Sequence, residues 1–200
     1  MSESTHEAPP ELRSLSKLLS KVLRHEPELL GLKPDRQGWF LVDDLLRKIN
    51  ARSGQATAYL RLKRMGPVSV AMLEAVVQTS DKQRFAFSED RLRIRAVQGH
   101  SFDVDLGYPE VEPPAVLYHG TSAEKWAAID LEGLKPMSRQ QVHLSADVST
   151  ATRVGQRHGK PVLLAIAAEA MHGQGWRFFR ASNGVWLVNE VPRHFIARTK

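Results

Sequence analysis

An α+β fold in two parts is what the sequence predicts, on three observations. Apolar residues recur at helical spacing in four stretches between residues 12 and 79, and then the period falls to two. A proline- and acid-rich stretch, "DLGYPEVEPPAV" at 105–116, interrupts both patterns and reads as a linker. Beyond it, short strand patterns outnumber helical ones, as in a compact mixed sheet lobe. The expected divisions are a disordered lead over 1–11, a first lobe over 12–104, a linker over 105–115 and a second lobe over 116–200.

Within the first lobe, Leu12, Leu15, Leu18, Leu19, Val22 and Leu23 mark an amphipathic helix that Pro27 ends, so Arg24 and His25 fall in its last turn. A second helix is expected over 42–50 with Leu45, Leu46 and Ile49 inward, and a third near 55–64. A fourth covers 69–79, with Ser69 as N-cap and Met72, Leu73, Val76 and Val77 as its apolar stripe. "QRFAF" and "RLRIRAV" then alternate about a turn at "SED", which reads as a β-hairpin. Its second strand puts Arg91, Arg93 and Arg95 on one face and Leu92 and Ile94 on the other. Helices followed by a basic hairpin resemble a winged helix. The three arginines either contact nucleic-acid backbone or form a solvated edge that discourages aggregation.

The second lobe opens with "AVLYHGT", an apolar strand running into a turn. A helix over "SAEKWAAIDLEGL" follows, with Ser122 as its cap, Trp126 and Ile129 inward and Gly133 at its end. "QVHLS" is a short strand, 147–158 a helix and "PVLLAIAA" a buried strand. "WRFFRAS" and "VWLVNEV" flank Asn183-Gly184, a strong short-range hairpin signal.

Bulk composition removes several classes of function. The chain of 200 residues has no cysteine, which excludes disulfides, thiol catalysis and zinc fingers. The N-terminus is polar and acidic, without the basic start and apolar middle of a signal peptide, and no apolar run is long enough to span a membrane. A cytoplasmic protein is expected, and no exposed apolar stripe argues against a monomer. The net charge of +6 divides evenly: residues 1–107 carry 17 basic against 14 acidic side chains, and 108–200 carry 11 against 8. A polyanionic partner would therefore meet a shaped patch on folded structure, not a basic tail. "HGQGWR" is an incomplete dinucleotide fingerprint, "VGQRHGKP" lacks the hydroxyl that ends a P-loop, and neither H-E-x-x-H nor G-x-S-x-G occurs.

What remains is a set of cationic side chains beside apolar ones. Arg24 and His25 lie in "LRHEP", Arg84 in "DKQRFAF" and Arg139 in "SRQQVHLS". An arginine fork matches a phosphate bidentately, so several forks acting together would hold one. His119 ends a strand in "YHGT" and His143 lies in "VHLS". Thr121 and Ser145 follow them by two positions, a parallel that suggests one cleft, and Gly120 would allow close approach of a ligand.

These motifs resemble, in order, those of the NAD-dependent RNA 2′-phosphotransferases: "LSKLLSKVLRHEP", "GW", "DKQRF", "IRAVQGHS", "YHGT", "RQQVHLS" and "NGVWLVNEVP". The resemblance runs from Leu15 to Phe195. It implies an RNA-binding winged-helix lobe followed by an ADP-ribosyltransferase-like lobe that holds NAD as co-substrate, with no metal. It implies a catalytic set of Arg24, His25, Arg84 and Arg139. NAD would be held by His119, Gly120, Thr121, His143 and Ser145, with Gly99, His100 and Ser101 near its phosphates. Two departures stand out. The stretch "NGVWLV" is apolar where many ADP-ribosyltransferases place a glutamate, with Glu190 only at its end, and 51–70 is longer than usual.

The reaction implied has two steps on a tRNA-like RNA. The RNA 2′-phosphate displaces nicotinamide from NAD, giving an ADP-ribosylated phosphate. The neighbouring ribose hydroxyl then takes the phosphorus by transesterification, leaving 2′-hydroxyl RNA and ADP-ribose 1″,2″-cyclic phosphate. A phosphate dianion needs positioning more than a base in the first step, and fixed guanidinium donors would stabilise charge in the second. His25 would orient the phosphate or exchange a proton. The alternatives are an ADP-ribosyltransferase acting on nucleic-acid ends or protein, and a non-catalytic winged-helix binder.

Overall fold

A computed structural model describes residues 9–51, 66–80 and 82–199, the side chains of Glu11 and His158 excepted. Most of the expected lead and all of the helix expected near 55–64 lie outside the described residues. The chain divides into two compact units, Met1–Leu106 and Gly107–Lys200.

In the first unit, α1 (Pro10–Arg24) starts with proline at its first position, where no N–H is needed. It buries Leu15, Leu18, Leu19, Val22 and Leu23. Pro27 opens a single 3₁₀ turn to Leu30, so the helix stops short of it. Then come β1 (Phe40–Leu41), α2 (Val42–Ala51) and α3 (Val70–Gln78), where Ser69 accepts a hydrogen bond from the Met72 N–H at 3.4 Å. Asn50 holds the approach to α3 by exchanging two hydrogen bonds with the Val68 backbone, 2.8 and 3.0 Å.

The hairpin is present, as β2 (Phe85–Phe87) and β3 (Arg93–Ala96), and β1 adds to it in the order β1-β3-β2, all antiparallel. Phe40 and Phe87 both pair with Ile94. Leu92 departs from expectation. It is 63% exposed although Ile94 is fully buried. The cause lies in the turn: Arg91 adopts φ +60 and Ser88 bonds both Asp90 and the Arg93 backbone, so the pleat starts only at Arg93.

The second unit contains β4 (Val116–Ser122), α4 (Ala123–Glu132), β5 (Val142–Leu144), α5 (Val148–Gly155), β6 (Pro161–Ala167), α6 (Ala168–Gly173), β7 (Phe179–Arg180), β8 (Trp186–Val188) and β9 (Ile196–Arg198). They form two antiparallel sheets, β4-β6-β9 and β5-β8-β7. Tyr118 and Ser145 join the sheets by two backbone hydrogen bonds of 2.7 and 2.9 Å. β6 alternates buried and half-buried positions instead of being buried throughout, with Val162, Leu164 and Ile166 inward. The Asn183-Gly184 turn joins β7 to β8 as expected, with Gly184 at φ +81. The proline-rich stretch is tied into this unit as well, since the Val111 N–H donates to the Phe178 carbonyl at 2.9 Å.

Candidate functional site

The C-terminus of α1 positions the first cluster. Helix ends leave carbonyls without intrahelical partners, and that of Arg24 is taken by the Ser101 N–H at 2.9 Å. The chain can reach it because Gly99, at φ +89, turns it sharply after β3. The Arg24 guanidinium donates to the Arg84 carbonyl at 3.3 Å and lies 5.8 Å over the Phe85 ring. The Arg84 side chain in turn donates to Ser80 Oγ at 3.4 Å. His25, exposed as the first residue beyond the helix, has Nδ1 3.1 Å from Ser101 Oγ. Arg24, His25, Arg84 and Gly99–Ser101 thus gather in one place, although up to 77 residues separate them.

His100 faces the other way. It is 2% exposed, packs edge-on against Phe102 at 5.2 Å, and neither ring nitrogen has a hydrogen-bond partner among the described residues. Burial first, and then the charges of Arg24, His25 and Arg95, push its pKa down from 6.5 to about 4. The native ring therefore stays neutral where an unfolded histidine would already be protonated. The unfolded state binds more protons between about pH 6.5 and 4, so the stability is complete above that window and lost as the pH falls through it. The loss expected by pH 4 is about 3 kcal/mol. Denaturant unfolding across these pH values should show it, and His100→Leu should flatten the slope.

The basic strand is engaged within its own unit. Arg91 pairs with Glu74 at 2.9 Å and lies over Phe87. Arg93 approaches Asp35 at 3.6 Å. Arg95 stacks 4.4 Å from the Trp39 ring and donates to the carbonyls of Gln37 and Leu106. Arg91 and Arg93 keep about half of their side-chain surface exposed, at 57% and 43%.

In the second unit the Tyr118–Ser145 bridge sets β4 beside β5. His119, in mid-strand and not at a strand end, donates Nδ1–H to the His143 carbonyl at 3.0 Å. Arg139 donates from Nη1 to His143 Nδ1 at 2.6 Å. An arginine has only donors, so Nδ1 of His143 must accept, and its proton sits on Nε2. Arg139 is exposed on the loop before β5. Desolvation by neighbouring protein atoms lowers its pKa, but a guanidinium keeps its charge.

Two residues expected to meet NAD have structural duties. Ser145 Oγ bonds the Asp147 backbone at 3.0 Å, and Asp147 caps α5 through the N–H groups of Ser149 and Thr150. Those hydroxyl and backbone donors, Thr150 foremost, hold the Asp147 carboxyl well below the usual carboxylate range. The close approach that Gly120 permits is that of α5, since a Cβ there would sit 1.7 Å from the Ala151 carbonyl oxygen. Thr121 beside it is buried.

A cleft of about 390 Å³ in this unit is lined by Gln174, Gly175, Trp176 and Arg177, from the incomplete fingerprint "HGQGWR", and by Asn189, none of them expected as a site residue. Among the described residues no group of three or more His, Asp or Glu could hold a metal ion, and no helix is long and apolar enough to cross a membrane.

Arginine stands beside histidine in both units, Arg24 next to His25 and Arg139 bonded to His143. Residues 10–190 match the RNA 2′-phosphotransferase, Tpt1 / KptA family, and the chain belongs to it. It is 55% identical over 181 residues to a "Probable RNA 2'-phosphotransferase" of Agrobacterium fabrum, covering 90% of this chain and 91% of that protein. A protein of the same name from Burkholderia lata is 47% identical over 198 residues, with 98% and 96% covered. Another, from Pseudomonas savastanoi pv. phaseolicola, is 49% identical over 180 residues, with 90% and 89% covered.

Proposed function

We propose that this chain removes a 2′-phosphate from RNA and transfers it to NAD, releasing nicotinamide and ADP-ribose 1″,2″-cyclic phosphate. The family match over residues 10–190 is the observation that carries the reading. Two neighbourhoods support it: Arg24, His25 and Arg84 around the end of α1, and Arg139 with His143 and His119 beside β5.

Arg24, Arg84 and Arg139 would hold the 2′-phosphate, countering charge on its oxygens while leaving the dianion free to attack. His25 would orient it or move a proton. Fixed donors lose little energy to reorganisation when charge shifts between oxygens, which suits a phosphate that attacks through one of its oxygens in the first step and exchanges the RNA 2′-oxygen for the ribose 2″-oxygen in the second. His119 and His143, locked to each other and to Arg139, would present ring edges to the NAD ribose and phosphates. Gly99 and His100 would add backbone donors near those phosphates, the buried His100 ring leaving only its main chain to offer, and Ser101 would stand beside them with its own N–H given to the Arg24 carbonyl. Gly120, Thr121 and Ser145 would shape the NAD site through the strand and helix they hold together. The first unit would serve as a winged-helix RNA-binding lobe, with Arg91 and Arg93 on the backbone and Arg95 bracing Trp39. The second would be an ADP-ribosyltransferase-like lobe. The working form would be a cytoplasmic monomer.

Incubation with NAD and an oligonucleotide carrying one internal 2′-phosphate tests the proposal. The RNA should lose the phosphate mass while the cyclic phosphate appears one for one with nicotinamide. RNA that instead keeps an ADP-ribose would favour a plain ADP-ribosyltransferase, and unchanged NAD would sink the proposal.

A further inference from the structure

We infer that Ser101 is a positioning residue for His25, holding the imidazole with its proton on Nδ1 so that Nε2 is the nitrogen that serves the substrate. The inference rests on the reading of His25 as part of the phosphate-handling set. It gives the Ser101 side chain a duty other than contact with NAD.

The argument starts from the serine's single proton. Ser101 Oγ lies 3.1 Å from His25 Nδ1 and 3.4 Å from the Arg24 carbonyl oxygen. The carbonyl can only accept, so the hydroxyl proton has a place there, and the Oγ lone pair then faces Nδ1. Nδ1 must carry a proton to complete the pair. Which nitrogen of a histidine is protonated follows from the bond that the other one makes. Here Ser101 engages Nδ1 and leaves exchange to Nε2. The same Nδ1–H bond survives when the ring gains a second proton, so the orientation holds in both charge states.

The clamp itself is anchored. The Ser101 N–H is held by the same Arg24 carbonyl at 2.9 Å. The preceding residue, His100, is buried to 2% exposure against Phe102. Both Ser101 and His25 are exposed, and an exposed side chain otherwise samples several rotamers at an entropic cost to any single arrangement. Fixing Ser101 through its main chain makes its hydroxyl a stationary reference for the ring. Arg24 shares the anchor, so the guanidinium and the imidazole of the "RHEP" step would keep a constant relation to each other.

Nitrogen-15 NMR of the full chain without substrates tests the clamp directly. His25, one of eight histidines, is assigned by the signal that His25→Gln removes. Its neutral ring should be the Nδ1–H tautomer, the one disfavoured in free histidine. Ser101→Ala should move the population toward Nε2–H and lower kcat by about tenfold or more, since small misplacements of a working group cost rates of that order. KM for RNA and for NAD should stay within about twofold. Ser101→Thr, which keeps the hydroxyl, should restore both tautomer and rate. A proton on Nε2 in the unsubstituted chain would overturn the inference, and so would a shifted tautomer with kcat unchanged. Were the unsubstituted chain to transfer no phosphate, the proposed function would fall, while the tautomer would still decide whether Ser101 orients His25.

Discussion

Replacing Arg139 by alanine is expected to lower turnover of a 2′-phosphorylated RNA by about two to three orders of magnitude, the usual cost of losing one charge-stabilising donor. The fold should barely notice. Arg139 is exposed, and truncating such a residue away from the core changes stability by about 0.5 kcal/mol or less. Its guanidinium donates to His143 Nδ1. Once that donor is gone, His143 can change tautomer or take up a proton, so the variant disturbs the neighbouring ring as well.

Arg139→Lys separates charge from shape. Lysine keeps the positive charge but presents a point ammonium where arginine presents a planar fork. If the guanidinium grips phosphate oxygens two at a time, lysine should recover only a small part of the loss. Single-turnover rates with saturating NAD, measured beside a denaturant midpoint, keep the two effects apart. Near-normal turnover in Arg139→Ala would remove this residue from the phosphate-handling set. A collapse of the midpoint would instead mean that Arg139 serves the fold.

How far such residues can be found without coordinates depends on the range of the forces that place them. α1 was legible because its apolar face repeats over the whole helix, and Pro27 marks where it must stop. The β7–β8 hairpin was legible because Asn183-Gly184 encodes the turn within two residues. β1, β9 and α6 are only two, three and six residues long, too short for any period to show. Their placement comes from pairing with Ile94, from pairing with β6, and from packing beneath β4.

The site divides in the same way. Arg24, His25 and Arg84 stand out as residue types, but the Arg24–Arg84 bond spans 60 residues and exists only once the hairpin packs on α1. The parallel between "YHGT" and "VHLS" hinted that His119 and His143 were neighbours. The bridge from Tyr118 to Ser145 is what makes them so. The tie between Ser101 and His25 carried no local signal, because it depends on a turn at Gly99 and on a helix carbonyl left over elsewhere. Gly120 stood out for close approach, and in the structure the backbone of α5 comes near it. A glycine in a strand signals close approach, and sequence cannot say whether a ligand or another backbone comes near.

Gly120→Ala should accordingly destabilise the second unit by about 3 kcal/mol or more, the upper range for overpacking against atoms that cannot swing aside. The added methyl would lie 1.7 Å from the Ala151 oxygen, 2.6 Å from its carbonyl carbon and 2.8 Å from the Gly155 nitrogen. All three are backbone atoms of α5, so no rotamer change relieves the overlap and the helix must shift as a body. Its first turn resists, because Asp147 holds the N–H groups of Ser149 and Thr150. Ala151 is itself buried, so moving it opens the core. For a chain of this size such a loss should lower the thermal midpoint by about 6–12 °C. Gly173→Ala is the matched control, since no atom lies within 4 Å of its added methyl, and it should change stability by about 1 kcal/mol at most. Activity should fall together with stability in Gly120→Ala, because β4 also carries His119 and its bond to the His143 carbonyl. Arg139→Ala should separate the two quantities and Gly120→Ala should couple them. A Gly120→Ala variant that melted with the unsubstituted chain would mean that α5 does not press on β4 as described, and the account of "YHGT" as a packing joint would have to be given up.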